Sequence, residues 1–429
     1  MDTIRCDILI VGSGAGGATL ARELSKQSKD VIVVERGRRA SRLGSFKASL
    51  GFFDANRTTK VPRKSKEGVI LWRTFMAGGS TVVSCGNATR CLEAELAGFG
   101  VSLESEFQEA ESEMRVAPIS ESLLSEGSVT LAKASEKLGY EMGPMPKFVD
   151  PEKCTRCGQC VFGCAHGAKW TALDYLDQAE SQGAKIFYNT LVDHALVDGA
   201  SASGVAALGP NGRFEIRSNL TVLAAGGLGT PVILQNSGIE EAGQGLFIDM
   251  LVNTYGITDG PNLQREPAMA LVNHQFHDDK GFILSPYANH SRMVRFMEMG
   301  ARGLAFPDPK LLGIMIKTAD DPSGRVHRDG TVSKPVTEND RKRLEEGAAI
   351  ATEILIEAGA RPESVVTTSP QGAHPGGTAA VGKVVDENLQ TRIRNLYACG
   401  GSVLPEAPGL PPILTIVALA KRLAKHLTS

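Results

Sequence analysis

One run constrains this chain more than any other: Gly12-Ser-Gly-Ala-Gly-Gly17 lies between a short apolar stretch and a segment of helical pattern. Residues 7–11 (DILIV) read as a strand buried on both faces. Residues 18–27 (ATLARELSKQ) read as a helix, and residues 31–34 (VIVV) as a second buried strand ending at Glu35. The unit is a βαβ crossover, expected to be right-handed. In that setting each residue has a physical task. Gly12 makes the tight turn, Gly14 lets a pyrophosphate approach the backbone, and Gly17 allows close helix–sheet packing. The helix N-terminus supplies unpaired N–H groups and a positive dipole end that favour phosphate. Glu35 would accept hydrogen bonds from ribose hydroxyls. The glycine run alone is weak evidence; its place after a strand, before a helix and upstream of an acid makes a dinucleotide site the expectation.

The chain has 429 residues, 42% of them hydrophobic, enough for a sizeable core and two or three domains. Its formal charge of −2 gives no footprint for nucleic acid or an anionic membrane. The N-terminus reads as a strand rather than a secretory leader. The longest apolar candidate, residues 411–420, ends at Lys421 and Arg422, short of a membrane span of about 18 residues. A cytoplasmic protein is expected. Residues 38–76 are basic and irregular, and 77–91 are glycine-rich. Helices are expected over 103–139, 171–182, 340–358 and 414–427, and strands over 185–196, 220–225 and 393–398. Residues 245–335 read as the least regular part.

Eight cysteines occur, four of them as Cys154-x2-Cys157-x2-Cys160-x3-Cys164. Thiolates at this spacing suit the corners of a [4Fe–4S] cluster. Zinc is the rival, although zinc sites usually pair two short cysteine units across a longer loop. Ala165 follows Cys164 where ferredoxins commonly carry proline, so Cys85 and Cys91 stand in reserve as the fourth ligand. Cys6 and Cys399 read as small core residues.

Four blocks carry a wider likeness: the N-terminal unit; Ala77-Gly-Gly-Ser-Thr81 through Gly86-Asn87-Ala-Thr-Arg90; Ala224-Ala-Gly-Gly-Leu-Gly-Thr-Pro231; and His374-Pro-Gly-Gly-Thr378 with Asn395-Leu-Tyr397 and Gly401-Ser402-Val403. In order and spacing they resemble the glucose–methanol–choline (GMC) oxidoreductases, here with a ferredoxin-like cysteine motif. The resemblance implies an α/β fold with a Rossmann-like FAD-binding domain built from residues 1–95, 165–245 and 370–429. It implies an α+β substrate domain over 246–369, with 96–164 as a helical segment and iron–sulfur insertion. It implies FAD contacts at Gly78, Gly79, Ser80, Asn87, Ala225, Gly226, Gly401 and Ser402, beside Gly12, Gly14, Ala15, Gly17 and Glu35. No histidine lies between Gly78 and Arg90, so the flavin is expected to be non-covalent. Cys164 is the preferred fourth cluster ligand because some similar proteins carry a comparable stretch.

By the same resemblance His374 faces the flavin and the reacting carbon. Removing a hydride from an alcohol carbon also requires the hydroxyl proton to leave, and an imidazole can take it. The family's second polar residue is missing: Pro411 stands at its position, with neither a side-chain donor nor a backbone N–H. Asn87, Gln371 and Tyr287 are replacements on chemical grounds. Flavin exchanges electrons in pairs or singly, whereas a cluster carries one at a time. The expected activity is therefore oxidation of a CH–OH group on a hydrophobic small molecule, with electrons leaving through the cluster to an external acceptor or partner redox subunit. Reduction of a C=O or C=C bond, and an electron-transfer subunit, are the alternatives. Phe247, Met250, Leu251, Met269, Phe276, Phe282, Met293, Phe296, Met297 and Met299 are either an apolar pocket lining or ordinary core.

Overall fold

The computed structural model describes residues 3–55, 62–263, 265–288, 292–300, 302–305 and 310–428. The first sheet grows from the glycine motif. Strand β1 (Thr3–Val11) carries the buried run and pairs in parallel with β2 (Val31–Val34), Ile8 opposite Val31. Helix α1 (Ala15–Ser25) connects them, and its Ala18, Leu20, Ala21 and Leu24 are buried. The remaining strands come from far along the chain: β3 (Lys185–Phe187), β4 (Leu191–Asp198), β5 (Ser201–Gly209) and β6 (Gly212–Leu223). Their order is β3-β2-β1-β6-β5-β4, with the short strand Leu396–Ala398 parallel to β6. The parallel core strands all end at one edge, where β1 runs into Gly12 and β6 runs into helix α2 (Gly226–Asn236). In such open sheets ligands bind outside the carboxyl ends of the strands.

The second sheet is largely antiparallel. Its main strands are β7 (Met250–Ile257), β8 (Phe282–Pro286) and β9 (Leu311–Thr318), in the order β8-β9-β7. Gln371–Gly372 joins β7 and pairs in parallel with Ile70–Leu71. On β9 the alternation is plain: Leu312, Ile314 and Ile316 pack with Leu344, Ile350 and Ile354 of helix α3 (Glu338–Glu357). Met315 and Lys317 take the opposite face. Thr337 and Asp340 close a reciprocal capping box at the start of α3. The last helix, α4 (Ile413–His426), packs across α1 with Leu414, Val417, Ala418 and Leu423 buried.

Three sequence expectations change. Residues 245–335, read as irregular, supply the three main strands of the second sheet. The helical stretch 103–139 is two helices, Glu104–Met114 and Glu126–Lys137, broken where Arg115 takes a left-handed φ of 54° and Pro118 follows. The strand over 185–196 is also two, interrupted where Asn189 has φ 52°.

Candidate active site

A cavity of about 620 Å³ opens at the carboxyl edge of the first sheet and runs to the second. Gly12, Gly14, Ala15 and Glu35 form one wall. Gly79, Ser80 and Asn87 come from the second glycine loop, and Ala225, Gly226 and Gly401 from two further turns. Each glycine has its own reason. A Cβ on Gly12, which has φ 103°, would lie 2.4 Å from the Ala224 carbonyl oxygen, and one on Gly17 would lie 1.9 Å from the Gly12 oxygen. Both positions are therefore about packing. A Cβ on Gly14 meets nothing within 4 Å. Its bare backbone borders open cavity, as close approach of a pyrophosphate requires. A Cβ on Gly79 would lie 2.9 Å from Gly14 Cα, so the second loop rests on the first.

Gly17, Gly78 and Ser402 support the cavity without lining it. Gly78 donates its N–H to Ser13 Oγ at 3.2 Å, and Ser402 is fully buried. Ser13, which the motif leaves unspecified, links the parts. Its hydroxyl donates to Glu35 Oε2 at 2.6 Å and its N–H to the same oxygen at 3.1 Å. Gly37 N–H donates to Glu35 Oε1 at 2.6 Å. Burial raises the Glu35 carboxyl above its usual range, and these donors oppose the shift.

His374 sits at the junction of the two sheets and lines the cavity. Its N–H donates to the Ile248 carbonyl at 3.1 Å. The first turn of α2 presses on the next residue, where a Cβ on Gly227 would lie 2.1 Å from the Pro375 oxygen. His374 Nδ1 is 2.9 Å from Asp249 Oδ2, so Nε2 is the nitrogen left for the cavity. Asp249 is fully buried, and its Oδ1 accepts the Gly409 N–H at 3.0 Å. Asp320 steadies it by accepting the N–H groups of Ile248 and Met250 on either side. Lys317 Nζ lies 3.0 Å from the same Oδ2 that His374 engages. Burial and the Lys317 charge hold the His374 imidazole below its ordinary value, so it stands neutral near pH 7. Burial alone would raise the Asp249 carboxyl; Lys317 and His374 bring it below the usual range.

Asp249, Asp320 and Lys317 escaped the sequence reading. The available signal was a lysine in the otherwise apolar run LLGIMIKT, at the phase that faces the cavity. Among the proposed replacements for the missing polar residue, Asn87 is committed elsewhere: its Oδ1 accepts from Lys147 Nζ at 2.5 Å and its Nδ2 donates to Met269 Sδ at 3.2 Å. Gln371 and Tyr287 line the cavity, as does Pro411. Of the apolar residues suggested for a pocket, Leu251 and Met269 line it. Phe247, Met250, Phe276 and Phe282 are buried in the cores instead, because they point to the other faces of their segments. Met299 packs beside Tyr255 and Leu311, Phe296 is exposed, and the side chains of Met293 and Met297 lie outside the described residues. The far wall is partly polar, with Asn253, Gln371 and Glu298.

Cys154, Cys157, Cys160 and Cys164 surround a second, smaller cavity. Burial raises the Cys154 thiol, and the neighbouring Cys160, Cys157 and Cys164 raise it further. Ala168 N–H points at Cys164 Sγ at 3.3 Å. Among the described residues no three histidine, cysteine or acidic side chains converge on a point that one ion would occupy. The two cavities share a wall: Cys160 lines the smaller and Val161 the larger. Lys169 fastens that wall, its buried ammonium donating to the carbonyls of Val82, Ser84 and Cys160. Lys147 does the same from the other side, donating to Cys85 O at 3.0 Å and Ala268 O at 2.9 Å. Cys85 borders the large cavity, whereas Cys91 is paired with Thr415 at 3.1 Å in the core.

No helix among the described residues is long and apolar enough to cross a membrane. The fold is shared with pyridoxine 4-oxidase from Mesorbium loti, with a TM-score of 0.76 at 16% identity over 99% of each chain. The sequence is 31% identical to an uncharacterized protein of Methanocaldococcus jannaschii, over 98% of this chain and 99% of that one. It is 24% identical to a long-chain-alcohol oxidase of Arabidopsis thaliana, over 97% of this chain and 66% of that protein. The N-terminal profile of the GMC oxidoreductases matches residues 6–267 and their C-terminal profile matches residues 319–420. The chain belongs to the GMC oxidoreductase family.

Proposed function

We propose that this protein is an FAD-dependent dehydrogenase that takes a hydride from the CH–OH group of a small molecule, with His374 receiving the hydroxyl proton. The observation that carries the reading is the His374–Asp249 contact of 2.9 Å inside a cavity edged by glycine turns. Those turns fit FAD: Gly14 leaves its backbone open, and the α1 N-terminus and Glu35 border the same space. Bound FAD supplies the two-electron acceptor. The chain does the rest. Asp249 fixes the imidazole tautomer and steadies the imidazolium once it forms, leaving Nε2 as the base. Leu251, Met269 and Met315 exclude water around the reacting carbon, while Asn253, Gln371 and Glu298 offer polar contacts to the distal part of the substrate. The alcohol-oxidising relatives support a CH–OH donor.

We further propose that Cys154, Cys157, Cys160 and Cys164 hold a [4Fe–4S] cluster, which supplies one-electron transfer to an external acceptor. Four features support it: the cysteine spacing, the four cysteines lining one cavity, the N–H directed at Cys164 Sγ, and the wall shared with the large cavity. The test is anaerobic bleaching of the flavin by a panel of primary and secondary alcohols. His374→Ala should keep the flavin and lose the bleaching; normal reduction of the variant would remove His374 from the mechanism.

A further inference from the structure

We propose that Lys317 is a second catalytic residue, donating to the substrate oxygen beside His374 and filling the place that Pro411 leaves without a polar group. The inference rests on the CH–OH reading of the cavity and adds to it the group that carries the oxygen's charge.

The case begins with an anomaly among the buried lysines. Lys147 and Lys169 each spend their donors on three acceptors. Lys334 donates to Asp321 O and Ser323 Oγ and pairs with Asp320 at 2.8 Å. Lys421 lies among Glu23, Glu109 and Glu113. Lys317 is 2% exposed, and its ammonium has no hydrogen-bond partner among the described residues. Asp249 Oδ2, 3.0 Å away, is its ion-pair partner, and no further acceptor meets the ammonium among the described residues. An ammonium carries three donors, and leaving them unmet in an interior is costly.

Position supplies the explanation. Lys317 lies opposite Leu251 in the strand register and lines the same cavity as His374 and Pro411. Imidazole and ammonium meet at one carboxylate oxygen and both residues line the cavity, so a turn of the lysine side chain away from Asp249 brings its ammonium to an oxygen held by His374 Nε2. Asp249 cancels the charge of Lys317 enough to keep it buried, while its own oxygens are already occupied by His374 and Gly409. Burial also pulls the ammonium below its ordinary value, which sharpens it as a proton donor.

The balance is simple. The substrate O–H bond breaks and its proton goes to His374 Nε2. The C–H bond breaks and its electron pair leaves with hydrogen as hydride to the flavin, which is reduced by two electrons. The carbon is oxidised to C=O. Between these events the oxygen bears negative charge, and the Lys317 ammonium stabilises it. Removing one such donor typically slows the chemical step about 10²–10³-fold.

The test uses flavin-loaded protein and the acetate anion as a probe of the oxygen site. Acetate titrated into the wild type should perturb the flavin spectrum saturably. Lys317→Met and Lys317→Gln should weaken acetate at least tenfold with flavin content retained, although both lower the melting temperature because Asp249 loses its counter-ion, and Lys317→Arg should keep most of the response. Arg also serves if the neutral variants fail to fold: loss of acetate binding in a folded Lys317→Arg protein would overturn the inference. So would unchanged binding in Lys317→Met, or a flavin-loaded wild type that ignores acetate. A protein purified without flavin would instead overturn the reading of the cavity itself.

Discussion

Asp249 holds His374 from beneath, with Oδ2 2.9 Å from Nδ1, although 125 residues separate them in the chain. The carboxylate is fully buried while the imidazole reaches the cavity, the arrangement that the proposed roles of orienter and base require. Asp249→Asn should slow flavin reduction by on the order of 10²–10⁴-fold, the scale seen when a buried acid behind a catalytic histidine is lost. Flavin content should hold. It should also destabilise the fold by about 3–5 kcal/mol, because the Lys317 charge loses its counter-ion. Stopped-flow absorbance and urea melts read the two effects separately.

The acid limb of the pH profile follows from His374. Burial first, then the Lys317 charge, holds its pKa below the usual value of about 6.5. The base is therefore neutral at pH 7 and is lost only as the pH falls below that ordinary value. Flavin reduction should be level through neutrality and decline on the acid side. A decline centred above pH 7 would contradict the assignment.

Glu298 predicts a pH dependence of stability. Burial raises its carboxyl to about 7, against the Tyr255 hydroxyl that donates to it at 3.2 Å. Between its ordinary value and 7 the native state keeps a proton that the unfolded chain has released. Its contribution is thus complete at low pH and disappears as the pH rises through 7, a change of about 3 kcal/mol. Glu298→Gln should flatten that slope in urea melts at pH 5 and pH 8.

The glycines of the first turn separate packing from binding. Gly17→Ala drives a methyl onto the Gly12 carbonyl and should cost at least about 2 kcal/mol. Gly14→Ala meets no protein atom within 4 Å and should leave the melting temperature of the flavin-free protein unchanged while sharply lowering flavin content. Equal effects on stability would show that Gly14 does not face the ligand.

Two cysteines make a matched pair of variants. Cys157→Ser should lose iron because Cys157 borders the small cavity. Cys91→Ser should keep it, since Cys91 is engaged with Thr415. Iron assay of both proteins, with flavin as the internal reference, checks the ligand set.

What the sequence disclosed was local. The turn from Gly12 to Gly17, the acid at Glu35 and the four closely spaced cysteines each announce themselves within a few residues, because the pattern of each is confined to a short stretch of chain. His374 was legible through its glycine-rich block. Asp249, Asp320 and Lys317 were not, since their meaning depends on which strands become neighbours. Residues 245–335 looked irregular because the partners of β7, β8 and β9 lie up to about a hundred residues apart and no helix-like period marks them. Nor does the cavity's polar wall announce itself: Asn253 and Gln371 meet only where Gln371–Gly372 joins β7.

The account stands or falls on two redox centres sharing a wall between Cys160 and Val161. The direct measurement is the visible spectrum of anaerobically purified protein, with flavin, iron and sulfide quantified on the same sample. The account predicts about one releasable FAD and about four irons with four sulfides per chain. A colourless protein, or one carrying flavin beside zinc-bound thiolates, would contradict it.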